Sequence, residues 1–379
     1  MKHLKLSLSA IASLTLCVTG VAAPAQAAVK GTLKVGFVFP MSGGTASFGE
    51  ETMSGVKLAV DEINKAGEIK IESFLQDDKS DPTDAANAAQ KLINVDKVHV
   101  LVGSVASSNT NAAAPIAQAA KIPLMTPAST NVNVTKVGEY ISRICFIDDF
   151  QGSAMAKFAF ENLKAKKAAI VVDSSSDYSK GLQASFKETF QKLGGEIVVE
   201  VSYLQKDQDF SSQLTKIRTR KPDVIWAPGY YSEIGNMIRQ AKTMGLKAVF
   251  LGGDGWSAPE LYTLGGDAIV GHYFSDHFSH EDTDPKVQDF VKKYQLAYKK
   301  EAPGMAALGY DAVYVLADAF KRDGYKTTGP ELAKAINDTK GFKGVTGTIT
   351  IDAQRNATKP LVILETQKTR ATFKQRVSP

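Results

Sequence analysis

The chain has 379 residues, 44% hydrophobic and 22% charged, and its 45 Lys and Arg against 40 Asp and Glu leave a formal charge of only +5. Such a length can bury two cores, while so small a charge excess excludes the electrostatic footprint of a nucleic-acid or anionic-membrane binder. Two cysteines exclude a disulfide framework.

Taken in chain order, Lys2 and Lys5 precede an apolar or small-residue run over 6–21, and Ala25-Gln26-Ala27 supplies an A-x-A cleavage site. Residues 1–27 therefore read as a cleaved secretory signal. The run is short for a membrane anchor, and Leu16 before Cys17 is too bulky for a lipidation box. Export to the periplasm is expected, with a mature chain of 352 residues starting at Ala28 and carrying +3. No later apolar run reaches membrane-spanning length. Cys145, the one mature cysteine, lies in the strand-like ISRICFI and reads as a buried apolar filler.

From Leu33 onward, β-branched runs alternate with helix-period segments, the pattern of α/β architecture with parallel sheets. Strands are predicted at LKVGFVF (33–39), IKIESFL (69–75), VHVLVG (98–103), KAAIVVD (167–173), EIVVEVSYL (196–204), DVIWAPG (223–229) and KAVFLGG (247–253). Met53, Val56, Leu58, Val60 and Ile63 give the helix over 49–67 its apolar face, and Asp81-Pro82 caps and opens a helix to Val95.

The stretch 98–130 and the stretch 223–257 share one pattern: apolar strand, glycine, polar loop, helix, strand. Residues 34–44 and 168–181 correspond likewise, which points to two similarly built α/β lobes. Ligands of open parallel sheets sit beyond the carboxyl ends of the strands. The loops SGGTASFG, VASSN and ASTN of one lobe should therefore face SSDYSK, YYSE and GDGWS of the other.

Three chemistries compete for VGSVASSNT (102–110). A nucleotide loop lacks its companions, since neither G-x-G-x-x-G after a strand nor a P-loop occurs. A serine nucleophile lacks G-x-S-x-G and a nearby histidine. The third, a carboxylate cradle, fits: a helix starting near Asn109 offers free N–H groups and the positive end of its dipole, beside the hydroxyls of Ser107 and Ser108. Thr130 adds a hydroxyl, and Asp254 on the facing lobe would meet an ammonium. Phe48, Tyr178, Tyr230 and Trp256 lie on the predicted cleft loops, suited to walling a small side chain. In HYFSDHFSHEDTD (272–284), His272, Asp276 and His280 fall on one strand face and His277 on the other. A solvated crossover is preferred there to a metal site, and neither metal nor cofactor is expected.

The ordered series VGFVFPMSGGTASFGEETMSGVKLAVDEIN, QDDKSDPTDAANAAQKLI, VGSVASSNT, PLMTPASTN, DYSKG, PGYYSEIGNMIRQAKTMGL, GDG and GVTGTITID resembles the leucine/isoleucine/valine-binding proteins, type I periplasmic solute-binding components of ABC importers. The resemblance covers nearly all of the mature chain. It implies two Rossmann-like lobes joined by a three-strand hinge, with crossings near 146–149, 276–278 and 352–355. Lobe I would comprise 28–148 plus 277–354, and lobe II 149–276 plus 355–379. It assigns a ligand α-carboxylate to Ser107 and Thr130, and an α-ammonium to the Ala128 carbonyl, Thr130 and Asp254. Side-chain walls fall on Phe48, Tyr178, Tyr230 and Met305. Asp254 stands where branched-chain members usually carry glutamate, so the ammonium would sit deeper or be bridged by water, and Trp256 would narrow the pocket. Ser80 and Ala106 occupy the positions of some relatives' disulfide.

The implied activity is capture of a small zwitterion, a branched-chain or other apolar amino acid, by hinge closure, with delivery to a membrane permease. The protein would act as a monomer and not as an enzyme. An amide, urea or aromatic acid on the same scaffold, or a ligand-sensing role, are the alternatives.

Overall fold

A computed structural model describes residues 29–379, so the expected signal sequence lies outside the described residues. The first sheet holds β1 (Gly31–Phe39), β2 (Ile69–Asp77), β3 (Val100–Gly103), β4 (Leu124–Thr126) and β5 (Ile141–Arg143). All five are parallel, in the order β2-β1-β3-β4-β5. Helices α1 (Ala46–Ala66), α2 (Pro82–Asn94) and α3 (Ser107–Ala120) connect them. The strands read as nearly continuous apolar runs because helices cover both faces: Phe37, Phe39, Val100 and Val102 are fully buried on one, Val38 and Leu101 on the other.

The second sheet begins with β6 (Lys167–Asp173), β7 (Glu196–Tyr203), β8 (Val224–Trp226), β9 (Val249–Gly252) and β10 (Tyr273–Asp276). Helices α4 (Asp148–Lys157), α5 (Asp177–Lys192), α6 (Ser211–Arg220), α7 (Tyr231–Thr243) and α8 (Glu260–Gly265) serve this unit. The chain then returns to the first unit through α9 (Pro285–Tyr298), α10 (Gly304–Arg322), which packs along α1, and α11 (Gly329–Asn337). A small sheet follows, made of β11 (Phe342–Gly344), β12 (Gly347–Ile351) and β13 (Ala357–Thr358). Finally β14 (Leu361–Thr366) pairs antiparallel with β10 and β15 (Ala371–Val377) antiparallel with β14, giving the order β15-β14-β10-β9-β8-β6-β7. The protein is thus an α/β molecule of two Rossmann-like lobes.

The expected strands are present, most of them trimmed at their ends: 223–229 shortens to three residues, while β6 matches its predicted span. Asp81 caps α2 as expected, accepting from the Thr83 and Asp84 amides with Pro82 in the first turn. Cys145 is fully buried, and burial pushes its thiol up to about 12. The chain crosses between the sheets three times: between β5 and α4, between β10 and α9, and between β13 and β14. The third crossing falls later than the boundary expected at residue 354. Arg355 stays with the first unit because its carbonyl accepts from the Arg143 amide at 3.1 Å, and its guanidinium donates to the Ile141 and Thr135 carbonyls. No described helix is long and apolar enough to cross a membrane.

Candidate functional site

The site is assembled from loops at the carboxyl ends of β1, β3 and β4 on one side and β6, β8 and β9 on the other. At the end of β3, Gly103 sits at φ +135° with the Val38 carbonyl so close that a Cβ would lie 2.1 Å from its oxygen. The turn beyond it starts α3 at Ser107, two residues before the predicted start, with Ala106 as an N-cap that has no side-chain acceptor. The first amides of α3 are therefore left without a capping side chain, and the helix dipole adds positive potential there.

Ser107 is buried, and its Oγ accepts from the Asn131 amide at 3.2 Å, which leaves its own proton to donate. That bond ties the β3 loop to the β4 loop carrying Ala128 and Thr130. Arg143 fixes the β4 loop from behind: its buried guanidinium donates to the Ser129 and Asn131 carbonyls, each at 2.7 Å. Thr130 is fully buried between these anchors, and its hydroxyl has no partner among the described residues.

On the facing side, Tyr178 and Tyr230 stack with centroids 5.3 Å apart and planes 8° apart. The Tyr178 hydroxyl accepts from the Gly255 amide at 2.8 Å, and burial pushes this phenol well above its ordinary range. Phe48 of α1 meets the Tyr230 ring edge-on at 6.0 Å and the Tyr231 ring at 4.9 Å. Asp254 opens the short turn after β9. Its amide donates to Gln151 Oε1 at 2.7 Å, its Oδ2 receives His277 Nε2 at 3.0 Å, and its buried Oδ1 has no partner. The gap between these groups spans about 230 Å³, open solvent included, and is lined by Phe48, Val105, Ser107, Ala128, Tyr178, Tyr230, Asp254, Gly255 and Met305.

Seven of the ten predicted site residues thus line one cavity, and Thr130 lies beside it through the Asn131–Ser107 bond. Two do not. Ser108 follows Ser107 by one helical step of ~100°, so it points sideways, where its Oγ accepts from the Asp177 amide at 3.1 Å. Trp256 does not narrow the cavity. The turn over Asp254–Trp256 directs its indole beneath Gly252, where a Cβ would lie 2.1 Å from the ring. There it is fully buried and donates to the Ala227 carbonyl at 3.1 Å.

His277 was missed as a site residue. Far from a solvated crossover, its side chain is fully buried, stacked on Phe146 at 3.7 Å and bonded to Asp254. Burial holds its imidazole down to about 4 although Asp254 pulls it upward. A ring kept neutral in this way meets the Asp254 carboxyl as a hydrogen-bond partner through Nε2. The alternation along 272–280 could flag His277 as inward-facing, but nothing local could reveal Asp254 as its partner. The other histidines are dispersed: His272 sits between the Phe250 amide and the Ala268 carbonyl, and His280 faces Glu301. Among the described residues no group of three His, Cys, Asp or Glu could hold a metal.

The two sides also touch directly. The Tyr231 hydroxyl accepts from the Ser47 amide at 3.2 Å, and Asn131 Nδ2 donates to the Asp177 carbonyl at 2.8 Å. Two α/β lobes closing loops over a small cavity, with donors on one wall and a carboxylate on the other, define a two-lobed solute-binding protein. A profile of the family described as periplasmic binding protein matches residues 32–371, and the chain belongs to that family. It is 32% identical over 323 residues to the Leu/Ile/Val-binding protein BraC3 of Rhizobium johnstonii, covering 84% of this chain and 87% of that one. The crystal structure of the leucine binding protein LivK from Thermotoga maritima superposes with a TM-score of 0.88 at 40% identity, covering 92% of this chain and 99% of that chain. A solute binding protein of an ABC transporter from R. palustris, in complex with benzoate, reaches 0.84 at 26% identity and covers 92% and 97%.

Proposed function

We propose that this chain captures a small zwitterionic amino acid with an aliphatic or other apolar side chain for an ABC importer. The observation that carries the reading is the pairing within one cavity of Ser107, at an uncapped helix start, with the unpartnered Oδ1 of Asp254. The amides of α3 with the Ser107 and Thr130 hydroxyls would take the carboxylate. Asp254 Oδ1, with the Ala128 carbonyl, would take the ammonium. Phe48, Tyr178, Tyr230 and Met305 would enclose the side chain. Charge-assisted hydrogen bonds are worth roughly 1.5–3 kcal/mol each once desolvated, so two oppositely charged ends give the clamp its selectivity.

The bodies that move are taken to be 28–148 with 277–358, and 149–276 with 359–379. Ligand meets the Ser107 side first, and closure brings Tyr178, Tyr230 and Asp254 over it. The closed form presents a composite surface to a permease. Export through the 1–27 signal, action as a monomer and the absence of any reaction on the ligand complete the proposal.

A second reading, an aromatic acid, is favoured by the stacked Tyr178–Tyr230 pair and by the benzoate-bound neighbour. A thermal-shift screen over amino acids, amides and aromatic acids separates the two. Ligand at 100 times its dissociation constant adds about 2.7 kcal/mol, so leucine, isoleucine or valine should raise the melting temperature. A shift with benzoates and none with any amino acid would replace the first reading by the second.

A further inference from the structure

A second, larger hollow of about 1090 Å³, mouth included, lies between the two units and shares no lining residue with the cavity above. One wall is Glu51 of α1 with the segment leading into α10. The other comes from the turn before α8, from β10, and from Leu364 and the 369–371 turn, which adds the exposed Arg370 to the lining.

Its charges are sorted by depth. Glu51 is only 5% exposed, and its buried Oε2 has no hydrogen-bond partner. Asp276, 3% exposed, holds only the Ser257 hydroxyl and the His277 amide. Lys300, exposed at the mouth, is the cation felt most by Glu51, but the two form no ion pair within 4.0 Å. Tyr262, Phe274 and Phe278 supply aromatic surface to the same lining. A buried carboxyl without a partner is costly unless it is neutral or meets a cation. Burial raises the Glu51 carboxyl well above the usual range, with Lys300 opposing and Glu260 and Asp276 reinforcing. Burial likewise pushes Asp276 up to about 7.

We infer that this hollow is a second binding site, for a primary ammonium group carried on a short apolar body, with Glu51 as the buried counter-charge and Tyr262, Phe274 and Phe278 against the alkyl chain. Aromatic faces suit both parts of such a ligand. The site is independent of the amino-acid reading, because none of its walls belongs to the first cavity.

The test is saturable binding of n-butylamine at pH 8, read by amide chemical shifts of the full protein, with 1-butanol as the uncharged control. The expected result is shifts centred on residues 51, 257–262 and 276–280, unchanged affinity in Asp254→Asn, and at least tenfold weaker binding in Glu51→Gln and for butanol. Tyr262→Ala gives a second variant should Glu51→Gln fold poorly, and it too should weaken the amine. Absence of saturable binding, or shifts confined to residues around 107, 128 and 254 and lost in Asp254→Asn, would overturn the inference.

Discussion

The two walls of the first cavity are built by opposite means. The Ser107 wall is backbone: an uncapped helix start and a loop pinned through its carbonyls by Arg143. The Asp254 wall is side chain: a carboxylate oriented by His277, which stacks on Phe146, and a tyrosine pair fixed through the Gly255 amide. A backbone cradle tolerates the loss of one hydroxyl, since its remaining donors persist. A single side-chain charge has no substitute. The difference makes the Asp254 wall the more fragile of the two.

The largest effect expected from breaking that contrast is at Asp254. Asp254→Ala should weaken amino-acid binding by ~100-fold, one charge-assisted bond's worth at the high end, while circular dichroism stays unchanged; titration calorimetry checks it. Next comes His277, whose imidazole is held down to about 4 by burial. Between pH 4 and its unfolded value near 6.5 the unfolded chain binds a proton that the folded chain refuses. The group's stabilisation is therefore complete above pH 6.5 and is lost as pH falls toward 4, by up to about 3 kcal/mol. Urea unfolding at pH 7.0 and 4.5 should show a smaller loss in His277→Gln than in the wild type. His272, also held at about 4 by burial, contributes to both proteins and cancels in the difference.

Ser107→Ala should cost less, about tenfold in affinity, because the α3 amides remain to hold the carboxylate. Trp256→Phe should lower stability by about 1–3 kcal/mol through lost packing and the broken bond to Ala227, with affinity within about twofold. Ser108→Ala should leave affinity within the same margin, since its hydroxyl serves Asp177. A large affinity loss in either of the last two would return those residues to the cavity wall.

The same contrast decides what was legible in the sequence. A backbone cradle follows from local rules: a glycine-ended strand, hydroxyls and an alanine-rich helix place Ser107 with no knowledge of the rest of the fold. The facing wall was legible only as a set of loops, through the recurrence of the strand-loop-helix pattern and the family resemblance. Which side chain points inward depends on turn geometry that alternation does not encode. Trp256 and Ser108 each sit one or two residues from a true lining residue and turn away from it. His277 acts across 23 residues of sequence on Asp254, a pairing set by where β10 ends against the turn after β9. The third crossing was drawn too early because the Arg355 guanidinium reaches back to the Ile141 and Thr135 carbonyls.

The central claim is a two-ended clamp, and dissecting the ligand tests it most directly. Calorimetry of the Glu51→Gln variant, in which the ammonium hollow is weakened, with leucine, with isoamylamine, which lacks the carboxylate, and with 4-methylpentanoate, which lacks the ammonium, should give saturable binding of leucine and at least ~100-fold weaker binding of both halves. Binding of 4-methylpentanoate as tight as that of leucine would contradict the role of Asp254 and leave a site for simple acids.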